Sequence, residues 1–136
     1  MTRSGDRLVD IDRDECVRLL CEEAYVGRLG FVVDGRPLVL PVNYVADATS
    51  VVFVTAPGTK LSAIRDGVPV AFEIDQSRAL YHTGWSVVVQ GHAYEVTDEE
   101  ELGRLRRGPL RSWAQPKAGH WVRITVDDIS GRRIAD

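Results

Sequence analysis

Residues 25–45 read YVGRLGFVVDGRPLVLPVNYV. The first part, 25–33, is rich in β-branched and aromatic side chains, the composition of a strand. Asp34-Gly35 follows, and Asp-Gly between two apolar runs is a strong signal for a two-residue hairpin turn. The chain returns as a second strand over 37–45. Pro37 suits its start, because proline has no N–H to give to a ladder. An antiparallel hairpin is therefore the seed of the fold.

Downstream, Asp47-Ala48-Thr49 turns the chain again, and Val51-Val52-Phe53-Val54 is apolar on both faces, which predicts a central third strand. Pro57-Gly58 breaks it. Residues 59–66 follow as a short helix with Leu61 and Ile64 facing inward, stopped by Gly67. A fourth strand covers 69–74 and a polar connection covers 75–83. Residues 85–96 form a long fifth strand with Gly91 as a bulge or bend. Thr97 and Glu100 have the spacing of a capping box for a helix ending near Arg107. An irregular loop over 108–119 carries Trp113. The last long strand is 120–126, followed by a short tail around 129–134.

Upstream, Asp12 caps a helix over 13–23, with Glu15 completing a capping box. Cys16, Leu19, Leu20 and Ala24 recur at helical spacing as one apolar stripe. Cys16 and Cys21 point to different faces of that helix, so they are read as reduced thiols and not as a disulfide. Residues 1–10 read as a mobile tail. The sum is a mainly β protein: a six-stranded antiparallel split β-barrel with two or three short helices, as one domain over 1–136.

Composition excludes several classes of function. The net charge of −3 gives no reason to expect a nucleic-acid partner. No apolar run approaches the roughly 20 residues of a membrane helix, and the polar N-terminus is not a signal peptide. With two thiols and no disulfide pattern, a cytoplasmic location is expected. His82, His92 and His120 have no metal-ligand spacing, so no metal site is expected. Ser62 and Ser86 lie in no nucleophile elbow. Gly58-Thr59-Lys60 resembles the end of a nucleotide-binding loop, but Phe53 stands where that loop needs its first glycine.

One stretch carries chemistry. Thr55-Ala56-Pro57-Gly58-Thr59-Lys60 ends a buried strand and starts a helix. Free backbone N–H groups, two hydroxyls and one ammonium group there would converge on a small anion. The alternative is a capped helix with a surface lysine.

The order of segments resembles the pyridoxamine 5′-phosphate oxidase-like family, the FMN-binding split barrels. The resemblance runs from about Tyr25 to Ile134. Its carriers are 27–30 (GRLG), 41–45 (PVNYV), 55–61 (TAPGTKL), 70–73 (VAFE), 83–91 (TGWSVVVQG), 120–124 (HWVRI) and 129–134 (ISGRRI). Each piece is short, and their order and spacing make the match.

The resemblance implies a cofactor, FMN, with deazaflavin and then haem as alternatives. It places the phosphate by Thr55, Gly58, Thr59 and Lys60, and the flavin ring along Pro41, Val42 and Asn43. A partner subunit closes the pocket near Trp85, Ser86 and Val87. The vitamin-converting enzymes are longer and carry a histidine beside their C-terminal basic residues. Here Arg132 and Arg133 have none, so the chain is nearer the small flavin or deazaflavin reductases. Two functions follow: a flavin-dependent oxidoreductase acting on a small organic acceptor, or a non-catalytic carrier of flavin, deazaflavin or haem. A C2 homodimer is expected in both. Trp85, Trp113 and Trp121 offer more aromatic surface than a monomer needs, which suits an interface on the order of 2,000 Å².

Overall fold

A computed structural model describes residues 8–108, 110 and 119–134. The seed hairpin is present. Strands β2 (Val26–Val33) and β3 (Arg36–Asn43) pair antiparallel along their whole length. Asp34 and Gly35 both have positive φ, 50° and 75°, as a tight hairpin turn of this hand requires.

The remaining elements, in chain order, are β1 (Leu8–Ile11), α1 (Arg13–Glu22), β4 (Val45–Ala46), β5 (Ser50–Thr55), α2 (Thr59–Ile64), β6 (Asp66–Arg78), a single 3-10 turn (Ala79–Tyr81), β7 (Thr83–Glu95), α3 (Glu99–Arg106), β8 (His120–Thr125) and β9 (Asp128–Ile134). All described strand pairs are antiparallel.

The sheet runs β3-β2-β6-β7 and then forks. One edge of β7 is shared by two strands: β9 pairs with Gly84–Gln90, and β8 pairs with Ala93–Glu95. Beyond β8 lie β5 and β4, and beyond β9 lies β1. The two legs of the fork give the split barrel.

Gly91 sits at the fork. A Cβ there would lie 1.6 Å from the Thr125 carbonyl oxygen and 2.8 Å from its carbon. The position is glycine because the β8–β9 corner lies against it. On the β6 edge Gly91 pairs in register with Val70, and the register slip lies between Asp66 and Val68. On the other edge Gly91 stands where pairing passes from β9, ending at Gln90, to β8, starting at Ala93.

Two cores fill the space. The main one, inside the barrel, holds Phe53, Phe72, Leu20, Leu29, Ile64, Ile74, Val87 and Ile124, all fully buried or nearly so. A second lies on the outer side of β5 and β8, where Val52, Val96, Leu102, Leu110 and Trp121 meet under α3. Arg123 and Glu101 pair across this second contact.

Several expectations need correction. Nine strands are present among the described residues, where six were expected; the additions are β1, β4 and β9. Residues 8–10 are no tail, because they pair with Ile134, Arg133 and Arg132. The polar residues 75–78 continue β6 and do not form a connection. The cap of α3 is Asp98, whose carboxylate accepts from the Glu101 N–H at 3.0 Å, and not Thr97. Asp12 caps α1 as expected, at 2.8 Å from the Glu15 N–H, but the Glu15 side chain pairs with Arg18. Trp121 is core, Trp85 packs on the main core, and Trp113 lies outside the described residues. Two of the three tryptophans offered for a dimer interface thus pack within the chain. Cys16 is buried and Cys21 exposed, and both are free thiols; the Cys16 thiol donates to the Ile11 carbonyl at 3.6 Å.

Candidate functional site

Strand β5 alternates. Val51, Phe53 and Thr55 face the barrel interior, and Val52 and Val54 face the second core. Thr55 ends the strand. It is 5% exposed, and its hydroxyl comes only to 3.5 Å from the Ala56 carbonyl. A buried hydroxyl so poorly served has capacity for a ligand.

The chain then passes through Gly58, at φ +149° and ψ −164°. Residues with a Cβ rarely adopt that conformation. Gly58 caps α2 without a side chain, whereas Asp12 and Asp98 cap α1 and α3. The first helical bond of α2 runs from the Ser62 N–H to the Gly58 carbonyl at 3.0 Å. The N–H groups of Thr59, Lys60 and Leu61 precede it and have no partner within the helix.

Lys60 is half-buried, with its Nζ 5.9 Å from the centroid of the Phe53 ring. Burial lowers its pKa from the usual lysine value. Among the described residues no carboxylate pairs with it. A partly desolvated cation without a counter-ion is a site for an anion.

The segment Pro41-Val42-Asn43 comes to the same place. Strand β4 pairs Val45 with Val52, and continuing that register carries Asn43 towards Val54 and Val42 towards Thr55. Strands β3 and β5 meet along this seam. Val42 is buried and faces inward, while Pro41 is exposed and Asn43 half-buried on the outer face. The seam thus joins two of the three expected groups.

The third group lies apart. Trp85, Ser86 and Val87 pair with Gln76, Asp75 and Ile74 on one side and Arg133, Arg132 and Gly131 on the other. Three strand spacings, roughly 14 Å, separate β3 from β7 across the sheet. The Val87 side chain is fully buried in the main core. Trp85 lines a groove of about 600 Å³ with Gln76, Arg78 and Arg133.

The outer face of the sheet has its own character. Val32, Val39 and Val26 are 60%, 66% and 41% exposed. They flank Arg28, which reaches Glu73 and Asp75 at 3.2 Å each. Burial and the adjacent Asp75 push Glu73 up to about 6.

One cluster at the barrel mouth has no counterpart in the sequence reading. His120 is opposite Thr55 in the β5–β8 register and shares its inward face. Its Nδ1 is 2.6 Å from Glu95 Oε2, and Arg65 is 3.0 Å from Glu95 Oε1.

The sequence model of the pyridoxamine 5′-phosphate oxidase family matches residues 12–133. The chain belongs to that family. An uncharacterized Mycobacterium tuberculosis protein, Rv0080, is 36% identical over 97% of this chain and 89% of its own. The FAD-binding protein of Mycobacterium smegmatis superposes with a TM-score of 0.81 at 36% identity, covering 94% of this chain and 99% of that one. A FAD-binding protein from Mesorhizobium loti gives 0.80 at 26%, covering 93% and 97%. The family's split barrel is thus the fold of this chain, and these two family members bind a flavin. Among the described residues no helix is long and apolar enough to cross a membrane, and no acidic, histidine or cysteine cluster could hold a metal ion.

Proposed function

We propose that this family member binds a phosphorylated flavin at the β3–β5 seam. Thr55, Thr59, Lys60 and the N–H groups after Gly58 hold the phosphate. Pro41, Val42 and Asn43 border the ring, Val42 through its backbone. The observation that carries this reading is Lys60, half-buried beside Phe53 with no carboxylate partner among the described residues. Those residues fit the group: they present one cation, two hydroxyls and unpaired N–H donors to one phosphate.

FMN fulfils the requirement. FAD does too, and the 36% identical M. smegmatis protein binds it. When bound, the flavin supplies the redox chemistry, and the protein's part is to orient it and exclude water. We read the chain as a cytoplasmic oxidoreductase for a small organic acceptor. A second copy closes the ring's open side through the apolar outer face at Val26, Val32 and Val39, bringing Trp85 and Ser86 to the pocket's rim.

The test is a set of fluorescence and absorbance titrations with FMN, FAD, deazaflavin and haem, followed by bleaching with a reduced nicotinamide cofactor. Flavin binding with bleaching and reoxidation by an acceptor supports the enzyme. Flavin binding without reduction would make the chain a carrier. Failure to bind any flavin would end the proposal.

A further inference from the structure

The cluster behind Thr55 is built as a support for one imidazole. A carboxylate oxygen accepts, so at 2.6 Å the His120 Nδ1–H donates to Glu95. Nε2 is the ring nitrogen left over, and no described residue bonds to it. The Glu95 side chain is only 12% exposed; Arg65 forms an ion pair with its other oxygen at 3.0 Å, although that oxygen accepts no aligned hydrogen bond from any described residue. The Glu95 N–H also donates to the Arg65 carbonyl at 3.0 Å. The imidazole is therefore braced from β7 and from the end of α2, while its own side chain remains 36% exposed. Across the ladder stands the Thr55 hydroxyl, buried and nearly unserved.

We infer that His120 is a further ligand of the flavin's phosphate, binding it as an imidazolium, with Glu95 and Arg65 as its positioning residues. This rests on the flavin reading above for the identity of the ligand, not for the existence of the anion site.

Charge supports the protonated form. Among the described residues Glu95 from β7 pairs with His120, Arg65 at the end of α2 pairs with Glu95, and Lys60 stands at the start of that helix. A phosphate monoester brings nearly two negative charges. With Glu95 that makes about three, against two from Arg65 and Lys60. A proton on His120 completes the balance, and histidine is the side chain that can take one up near neutrality.

Formation of the imidazolium on phosphate binding should draw a proton from solution. Calorimetric titration of the full chain in buffers of different ionisation enthalpy measures it directly. FMN should take up a substantial fraction of one proton, FAD less because each of its phosphates is a diester with a single charge, and riboflavin none. His120→Gln should abolish the uptake and weaken FMN about tenfold, with riboflavin unchanged. A structural role alone would weaken all three ligands alike and leave proton uptake in place. Uptake that is absent, or that persists in His120→Gln, overturns the assignment while the flavin reading stands.

If no flavin binds, inorganic phosphate is titrated instead and the ring nitrogens of His120 are followed by nitrogen-15 NMR on the wild-type chain, which needs no variant to fold. A saturable shift at Nε2 keeps the anion site and removes the flavin. No shift removes both.

Discussion

Replacing Lys60 with alanine should separate flavins that carry phosphate from the one that does not. The ammonium group stands at the start of α2, partly desolvated against Phe53. A hydrogen bond to a charged group in such a setting contributes roughly 1.5–3 kcal/mol. At about 1.4 kcal/mol per tenfold, FMN affinity should fall by about ten- to a hundredfold. Riboflavin should be nearly unaffected, and Lys60→Arg should retain most of the FMN affinity.

The cost to folding is small because two effects oppose each other. The contact with the Phe53 ring contributes roughly 0.5–1 kcal/mol. Burial of the ammonium works against it, which is why the Lys60 pKa lies below its usual value. Apparent Tm should move by about 5 °C at most. The same lowered pKa makes FMN binding weaken with rising pH, beginning below the ordinary lysine range. Paired fluorescence titrations of FMN and riboflavin, wild type against variant, give the answer. Equal losses for both flavins would make Lys60 a shaper of the pocket. No loss for either would move the phosphate away from α2 and refute the reasoning.

Gly91→Ala drives a methyl into the Thr125 carbonyl, with the Ile124 side chain beside it. Urea denaturation should show a loss of about 3–5 kcal/mol or no folded protein; a loss under about 1 kcal/mol would mean that the corner yields. The Glu73 carboxyl, raised from 4.5 to about 6, favours its protonated form in the fold. Its contribution is full below about 4.5 and is lost as pH rises through about 6. Glu73→Gln cannot ionise, so the urea midpoint of wild type should decline relative to the variant across that window, and parallel profiles would count against the assignment. Val39→Glu places a charge on the exposed apolar face, so sedimentation should show the dimer weakened in this variant. A wild-type monomer at micromolar concentration would remove the dimer altogether.

How much of this was legible in the residues depends on where the information lies. The β2–β3 hairpin was readable because Asp34-Gly35 and its flanks are local. Asp12 and the stripe of Cys16, Leu19 and Leu20 gave α1 for the same reason. The distal half of β6 was not readable. Asp75-Gln76-Ser77-Arg78 has no strand composition, and its extended form comes from pairing with Ser86, Trp85, Gly84 and Thr83. Leu8–Ile11 is an edge strand that β9 holds in place. Thr97 and Asp98 are both good caps, and only the backbone decides between them.

The site divides in the same way. Thr55 to Lys60 is one contiguous stretch, so a proposal for it could be made from the sequence. His120, Glu95 and Arg65 come from three distant segments, and only the β5–β8 register and the reach of α2 bring them to Thr55. Which of Val87, Val88 and Val89 faces inward was not readable, because an apolar triplet does not say it; Val87 and Val89 are the buried pair.

The fork at β7 also bears on the order in which the chain assembles. The β2–β3 and β6–β7 hairpins join neighbours in sequence, so their closure costs little entropy and should come early. The β5–β8 and β1–β9 ladders join segments far apart in the chain and should zip later, onto a β7 already in place. Pulse-labelled hydrogen exchange should then protect the amides of Val87 and Val89 before those of Val51 and Phe53. The row that sets His120 against Thr55 belongs to the late group. A nascent chain would thus offer its apolar hairpins first and the proposed anion-binding mouth last, so a cofactor bound there would dock onto a finished barrel and would not template it.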